Sequence, residues 1–358
     1  MFYSLEEMYL LAVASNAGAG CTVPDKVNRP DEINLCVARE VNSWLEEFSL
    51  IPRWQIVWGP AVYVANVEGH TLTDAHPANV MFAAYDAEHS SYFISVAGTN
   101  GAALYDLEED FRVRVLRHWP YAAPGSRPGK ISEGSHLGLN ILQEMTPGVG
   151  QHQGETLPQY LRHALRDAKG PVNVITGGHS LGGALSPLVA LWLRDTQEQW
   201  DPRRVVPEDG FYCRRSAGPT PGDKEFAAYY DGRLPKTTSL VNNLDVVTKF
   251  WDKLEEIEGL YESAGVQAPP QVKGLVRAFE HQIEGHTYTQ LGYGKRQYIA
   301  PLASINTSLI AEHGTACKNF MRQMGYQHVL AYFDMLGLAV PEKMRRTIGV
   351  DQFLALCG

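Results

Sequence analysis

Residues 171–193 read PVNVITGGHSLGGALSPLVALWL, an apolar stretch interrupted once by a glycine-rich centre. The part before that centre is short and rich in β-branched residues, which predicts a buried strand over 171–176. The part after it carries apolar side chains at helical spacing, which predicts a helix that begins at Leu181. Ser180 therefore lies on a turn from a strand into a helix.

Residues 178–182 read Gly-His-Ser-Leu-Gly, the pattern of a nucleophile elbow. Such a turn is so sharp that glycines are needed where a side chain would clash with the neighbouring backbone. We therefore predict that Ser180 is a nucleophile and that the Leu181 amide, at the helix N-terminus, binds an oxyanion. The alternative is a glycine-rich turn with an ordinary surface serine. We expect His179 to be a structural residue of the elbow.

The bulk composition limits the classes of protein to which the chain can belong. It has 358 residues, of which 44% are hydrophobic and 20% are charged, enough for one large α/β domain or two smaller ones. The formal net charge is −9 and no segment concentrates Lys and Arg, so we predict no nucleic-acid partner. No apolar run reaches the roughly 18 residues of a membrane span, and the N-terminus lacks a basic leader. We expect a cytoplasmic protein, or an exported one whose leader has been removed.

Cysteine spacing indicates neither a metal site nor a dense disulfide scaffold, because no CxxC or CxxH pair is present. We predict no metal and no cofactor. Most of the cysteines are expected to be reduced, with a Cys21–Cys36 pair as the alternative in an exported protein. The five cysteines are Cys21, Cys36, Cys213, Cys317 and Cys357.

The first 75 residues carry two helical patterns. A capping box at residues 4–7 begins the first, and the second, with a broad apolar face, begins near Pro30. We therefore predict that residues 1–75 form an N-terminal helical extension that packs on the core. After it, segments 80–88 and 90–98 are short, apolar and separated by a polar break, which predicts a β-hairpin that enters the main sheet.

Two later segments are less regular. Beyond Asp110, apolar residues alternate with arginines, which favours a strand up to residue 117. Residues 251–285 form a long excursion with two amphipathic helix candidates, 254–263 and 272–283. We interpret it as a cap inserted over the site, and a peripheral helical hairpin or an oligomer contact are the alternatives.

The string ITGGHSLGGALSPLVALWL at 175–193 resembles the elbow of the class 3, fungal-type lipases. Three further blocks resemble family segments in the family's order, from about residue 78 to 335. They are SYFISVAGTNG at 91–101, YCRRSAGPTPGDKEFAAYY at 212–230 and SLVNNLDVVTKF at 239–250. Ala97 replaces the family's arginine, Thr248 replaces its proline, and Gly177 is an additional glycine before the elbow. The first departure puts a structural ion pair in doubt rather than the chemistry.

The resemblance implies an α/β-hydrolase fold, with a mixed, mostly parallel central sheet and helices on both faces. Residues 76–358 would form this catalytic domain. By resemblance, Thr99 would be the second oxyanion donor, through its backbone amide and its hydroxyl. Asp245 would be the acid of a catalytic triad. An ordinary turn residue is the alternative at each of these two positions.

The base is the hardest member of the triad to identify, because four histidines follow Asp245. Residues 327–338, QHVLAYFDMLGL, resemble the family's C-terminal segment, in which aromatic and apolar residues follow the catalytic histidine. We therefore predict His328 as the base and expect it on a loop after the last core strand. The four candidates are His281, His286, His313 and His328.

Together these residues predict a carboxylic ester hydrolase that works through an acyl-enzyme. The resemblance indicates a lipase or esterase that acts on acylglycerols or other lipid-like esters. A phospholipase A1 or a feruloyl-type esterase could use the same triad, and a catalytically inactive interaction module is the alternative from another class. The expected partners are an ester substrate, lipid or small molecule, and, transiently, a lipid interface. The sequence indicates no particular oligomeric state.

Overall fold

The computed structural model describes residues 3–21, 23–24, 30–65, 74–98, 112–292, 297–299, 304–347, 354 and 357. Within these ranges, eight strands form one central sheet and two more form a separate ribbon. The sheet strands are β1 (Val23–Pro24), β2 (Gln55–Ala65), β3 (Asp74–Asp86), β4 (Ser91–Val96), β7 (Asn173–His179), β8 (Phe211–Ser216), β9 (Thr237–Val241) and β10 (Gln297–Ile299). The ribbon pairs β5 (Leu116–His118) with β6 (Lys130–Ser132).

The sheet is mixed and mostly parallel, as predicted. Its order is β1-β3-β4-β7-β8-β9-β10, and β2 also pairs with β3. Strands β1, β2 and β4 pair antiparallel with β3, whereas β4, β7, β8, β9 and β10 run parallel to one another. The predicted hairpin is present as β3 and β4, and the predicted strand before the elbow is β7.

Helices cover both faces of this sheet. The described α-helices are α1 (Leu5–Ala14), α2 (Pro30–Glu47), α3 (Glu133–Glu144), α4 (Leu157–Leu165), α5 (Leu181–Asp195), α6 (Gln197–Trp200), α7 (Lys224–Arg233), α8 (Pro270–Gln282), α9 (Ala316–Gly325), α10 (Ala331–Met335) and α11 (Glu342–Thr347). Successive side chains of a strand point to opposite faces, so Met81 and Phe82 of β3 lie in different apolar clusters. One cluster joins the sheet to α3, α4 and α5, and the other joins it to α1, α2 and α10.

The N-terminal segment is more closely integrated than a helical extension. Ser4 caps α1 by accepting the Glu7 amide, which is one half of the predicted capping box, while the Glu7 carboxylate accepts the Trp54 Nε1–H instead. A 3₁₀ helix (Ser15–Gly20) follows α1. However, β2 lies within the first 75 residues and pairs along β3 of the central sheet. The sequence hid this strand because Gly59-Pro60 interrupts it and reads as a turn. The division at residue 75 remains a prediction.

The prediction that most cysteines are reduced is wrong. Cys21 is bonded to Cys36, and Cys317 is bonded to Cys357, while Cys213 is free and buried. The first disulfide ties the end of the 3₁₀ helix to α2. The second was hidden because its partners lie 40 residues apart in sequence. No described helix is long and apolar enough to cross a membrane.

Two local predictions were also wrong. Residues 254–263 form only two 3₁₀ turns, Leu254–Glu256 and Glu262–Ala264, and the left-handed Gly265 ends the second. Only the second predicted helix of the excursion is present, as α8. Residues 112–115 form a turn that begins at Arg112 with φ 35°, so the strand expected beyond Asp110 is reduced to β5.

Candidate active site

Ser180 lies at the sharp turn between β7 and α5. Its backbone has φ 61° and ψ −127°, in a region that L-residues rarely adopt, and its amide donates to the Ser216 carbonyl at 3.1 Å. Holding a non-glycine residue there costs about 1–3 kcal/mol, which the surrounding packing must offset. At this sharp turn, the side chain of Ser180 projects away from both β7 and α5. This is the geometry that the sequence motif predicts.

Close backbone packing explains the glycines around the serine. A Cβ at Gly178 would lie 2.3 Å from the Gly182 carbonyl oxygen, and one at Gly182 would lie 2.1 Å from the Val96 oxygen. Both contacts are with backbone atoms, which cannot rotate away as a side chain could. The elbow can therefore pack against β4 only if both positions lack a side chain.

Three of the residues predicted from the sequence form one hydrogen-bonded chain. His328 Nε2 lies 2.8 Å from Ser180 Oγ, and His328 Nδ1 lies 3.0 Å from each carboxylate oxygen of Asp245. All three are buried, Asp245 completely and Ser180 at 6% exposure. An imidazole held between a carboxylate and a hydroxyl can accept the hydroxyl proton and return it.

The Asp245 carboxylate is held by donors besides His328. The Tyr332 hydroxyl donates to Oδ2 at 2.9 Å, and the Val247 amide donates to Oδ1 at 2.9 Å. Tyr332 in turn accepts the Asn242 amide at 3.1 Å, at the start of the acid loop. Buried carboxylates need such donors, because an unpaired charge in the interior is costly. This role of Tyr332 could not be predicted from the sequence, although the residue stands one helical turn after His328.

His328 lies in a helix and not on a loop, so that part of the prediction was wrong. Helix α9 continues into a π-helical turn, Tyr326–Leu330, and then into α10. The wider π turn is a common local adjustment at functional sites. It brings His328 towards Ser180 while Val329, Tyr332 and Phe333 remain in the apolar cluster that holds α1 and α2. The apolar run after His328 therefore anchors a helix rather than a loop.

The other candidate histidines have different surroundings. His286 lies 3.0 Å from the Arg114 carbonyl oxygen, and His281 pairs with Glu284 on an exposed face. His313 is exposed. Of the four, His328 alone has a described hydrogen bond to Asp245.

The ring of His179 packs against the ring of His328 beside the hydrogen-bonded chain. The two rings lie 5.1 Å apart, and Tyr9 and Tyr332 contact His179 edge-on. His179 Nδ1 lies 3.0 Å from Ser216 Oγ. Burial lowers the pKa of His179 well below its ordinary value, and repulsion from His328 lowers it further. His179 is therefore neutral in the folded protein, which agrees with a structural role.

This neutral histidine predicts a pH dependence of stability. Below its ordinary pKa of about 6.5, the unfolded chain binds a proton at His179 that the folded protein excludes, so the free energy of unfolding falls as pH falls. One proton contributes a slope of at most about 1.4 kcal/mol per pH unit. We expect His179→Gln to have a shallower slope than the wild type between pH 6.5 and 5, measured by urea unfolding.

The slope, and not the absolute stability, is the readout, because the substitution also changes packing. The exposed His281 serves as the control, and His281→Gln should keep the wild-type slope. A wild-type slope in His179→Gln would show that His179 does not carry the effect.

The predicted oxyanion donors are only partly described. Leu181 is the first residue of α5, where an amide has no intrahelical acceptor. Thr99 lies outside the described residues, which end at Gly98 on this side of the site. Gly98 packs on the elbow, since a Cβ there would lie 3.1 Å from Ser180 Cβ.

Ala97, in place of the family's arginine, is buried among apolar residues and offers no group for an ion pair.

One group among the described residues is spaced to hold a metal ion, and it comprises Asp86, Glu88 and His89. Within this group, the Asp86 carboxylate accepts hydrogen bonds from Arg53 Nε at 3.0 Å and from the Tyr3 hydroxyl at 3.0 Å. These contacts account for the cluster as a structural ion-pair network. It is separate from the hydrogen-bonded chain at Ser180.

The chain is similar to known lipases in both sequence and structure. The family model described as Lipase (class 3) matches residues 93–253. M37 lipase has 27% sequence identity and a TM-score of 0.75, with 99% of this chain and 96% of that chain covered. No curated protein matches the chain.

Two fungal structures are also similar, but more distantly. The lipase from Rhizopus microsporus var. chinensis has 17% identity and a TM-score of 0.43, covering 68% of this chain and 67% of that one. Lipase II from Rhizopus niveus has 13% identity and a TM-score of 0.45, covering 68% and 72%. The fold assignment depends on the likeness to M37 lipase and not on these two structures. The predicted class 3 lipase resemblance and α/β-hydrolase fold are thus confirmed, and with them ester hydrolysis as the class of activity of this chain.

Proposed function

We propose that the protein hydrolyses lipid-like carboxylic esters, with Ser180 as nucleophile, His328 as base and Asp245 as the orienting acid. The observation that carries this proposal is the buried chain of hydrogen bonds from Asp245 through His328 to Ser180. A serine paired with a base in this way is activated, whereas an ordinary hydroxyl is a weak nucleophile.

The reaction would proceed in two halves. Ser180 Oγ attacks the ester carbonyl carbon while its proton passes to His328 Nε2, and Asp245 stabilises the imidazolium from the Nδ1 side. The Leu181 amide, with Thr99, would donate to the oxyanion. Collapse of this intermediate breaks the ester C–O bond, and the leaving alcohol takes the proton from His328. His328 then takes a proton from a water molecule as that water attacks the acyl-enzyme carbonyl. The carboxylic acid is released, and Ser180 regains its proton from His328.

The acyl chain would bind in an apolar pocket beside the triad. This pocket, which we term the acyl pocket, lies between α8, α9 and the segment that follows Asp245. Its lining is apolar throughout and consists of Val246, Phe250, Ile257, Val272, Leu275, Val276, Phe279, Phe320, Met321 and Met324. The lining residues belong to an apolar cluster that also includes Ala184 of α5 and packs against Leu181, the first residue of that helix. Burial of an acyl chain there would contribute about 0.8 kcal/mol per methylene.

Helix α8 forms one wall of this pocket, which supports a cap role for residues 251–285. Opening of α8 would admit the acyl chain from a lipid interface, and its return would exclude water from the site.

The experiment that tests the proposed function is turnover of p-nitrophenyl esters from acetate to palmitate. Triglyceride, phosphatidylcholine and methyl ferulate, assayed beside them, separate a lipase from a phospholipase and from a feruloyl esterase.

Narrowing the acyl pocket should shift chain-length preference. Val276 is a buried lining residue of α8, and we expect Val276→Trp to lower kcat/KM for palmitate esters at least about tenfold while acetate hydrolysis changes little. The measurement is the ratio of the two kcat/KM values. Ala278 is exposed on the same helix, so Ala278→Trp is the matched control and should keep the wild-type ratio. Equal losses on both substrates in Val276→Trp would indicate a structural role for α8 instead.

A further inference from the structure

We infer that Asn16, on the N-terminal segment, is a positioning residue for the oxyanion side of the site. This inference rests on the proposed function. Asn16 Oδ1 accepts the Gly98 amide N–H at 2.7 Å, across 82 residues of sequence.

Gly98 lies directly against the reacting serine. A Cβ at Gly98 would lie 2.8 Å from the His179 carbonyl oxygen and 3.1 Å from Ser180 Cβ, so its backbone packs on the elbow. The next residue is Thr99, the expected oxyanion donor. A glycine restricts its own dihedral angles very little, so the chain entering Thr99 needs an external contact to fix it. The hydrogen bond from Gly98 to Asn16 is such a contact.

The anchor itself is rigidly attached to the sheet. Asn16 belongs to the 3₁₀ helix that follows α1, and its neighbour Ser15 lies 3.0 Å, Oγ to Oγ, from Ser95 of β4. Ser95 also donates to the Leu11 carbonyl at 2.8 Å, and the Cys21–Cys36 disulfide follows at the end of the same helix. Asn16 is therefore held at a fixed distance from β4, the strand that leads to Gly98.

The chemistry of the site explains why an amide suits this position. The acceptor must hold the Gly98 N–H close to the place where negative charge develops in the reaction. A carboxylate would do this at the cost of repulsion with the oxyanion, whereas a neutral amide oxygen avoids it. Through Asn16, the N-terminal segment would therefore contribute to the active site as well as pack on the sheet.

The test compares Asn16→Leu with the wild type. Leucine has a similar size and no acceptor, so Gly98 loses its partner while the packing is largely kept. Loss of an oxyanion donor outright costs about 10²–10³ in kcat, and loss of its positioning should cost less, about tenfold, with KM within about twofold. Affinity for a trifluoromethyl ketone should fall by the same factor as kcat/KM. That inhibitor forms a bond from its carbonyl carbon to Ser180 Oγ, its oxygen becomes the oxyanion, and the serine proton passes to His328.

Tyr3→Phe is the structural control, because it removes a buried hydrogen bond to Asp86 from the same N-terminal segment without touching Gly98 or the anchor of Asn16. It should lower Tm and leave kcat and inhibitor affinity near the wild type. Asn16→Ala, which adds no bulk, replaces Asn16→Leu if the latter does not fold. A wild-type kcat in the Asn16 variants, or equal losses in Tyr3→Phe, would overturn the inference. A wild type that neither turns over esters nor labels at Ser180 would instead overturn the proposed function.

Discussion

Ser180→Ala is expected to abolish both ester turnover and covalent labelling by a fluorophosphonate probe. The probe reacts with serines that a neighbouring base activates, and His328 Nε2 lies 2.8 Å from Ser180 Oγ. Removal of the nucleophile from a comparable triad enzyme lowers kcat by about 10⁶, and we expect a loss of at least about 10³ here. The measurements are p-nitrophenyl ester kinetics and mass spectrometry of the labelled peptide.

A matched control distinguishes loss of the nucleophile from loss of structure. Ser186 is a fully buried serine on the same helix, α5, and its described hydrogen bond joins its backbone carbonyl to the Thr176 hydroxyl, outside the triad. Ser186→Ala should therefore keep wild-type labelling and turnover. Labelling that persists in a folded Ser180→Ala would mean that another residue is the nucleophile.

The elbow could be predicted because its signals are local. A strand, two glycines and an apolar helix stand within about twenty residues, and the close contacts of Gly178 and Gly182 follow from the sharpness of the turn. Asp245 and His328 could be named only because the resemblance supplied their order along the chain. Their hydrogen bond joins residues 83 positions apart, and neither periodicity nor composition carries such information.

The contacts that were missed depend on tertiary packing. Asn16 gave no signal, because its partner is a backbone amide 82 residues away. Tyr332 looked like part of an ordinary apolar run, although its hydroxyl bonds to Asp245. The placement of His328 on a loop failed for a related reason, since a π-helical turn has no distinctive sequence pattern and continues the helices on either side.

His328→Ala is expected to reduce esterase activity about as completely as Ser180→Ala. A triad acts as a unit, because the serine is a weak nucleophile without its base and the base has no task without the serine. The double variant Ser180→Ala/His328→Ala should therefore lose little more than either single variant. Steady-state kinetics on a short p-nitrophenyl ester measures all three, and circular dichroism checks that each is folded.

The neighbouring histidines provide the controls for this assignment. His286 and His313 lie outside the hydrogen-bonded chain, so their alanine variants should keep most of the activity. His179 packs against His328, but its Nδ1 faces Ser216 Oγ and burial disfavours its protonated form, so it is a poor acceptor for the proton of Ser180. A folded His328→Ala with near-normal turnover, together with an inactive His286→Ala or His313→Ala, would move the base to that histidine. Non-additive loss in the double variant would instead support a proton path from Ser180 through His328, with Asp245 and its donor Tyr332 holding the imidazole in place.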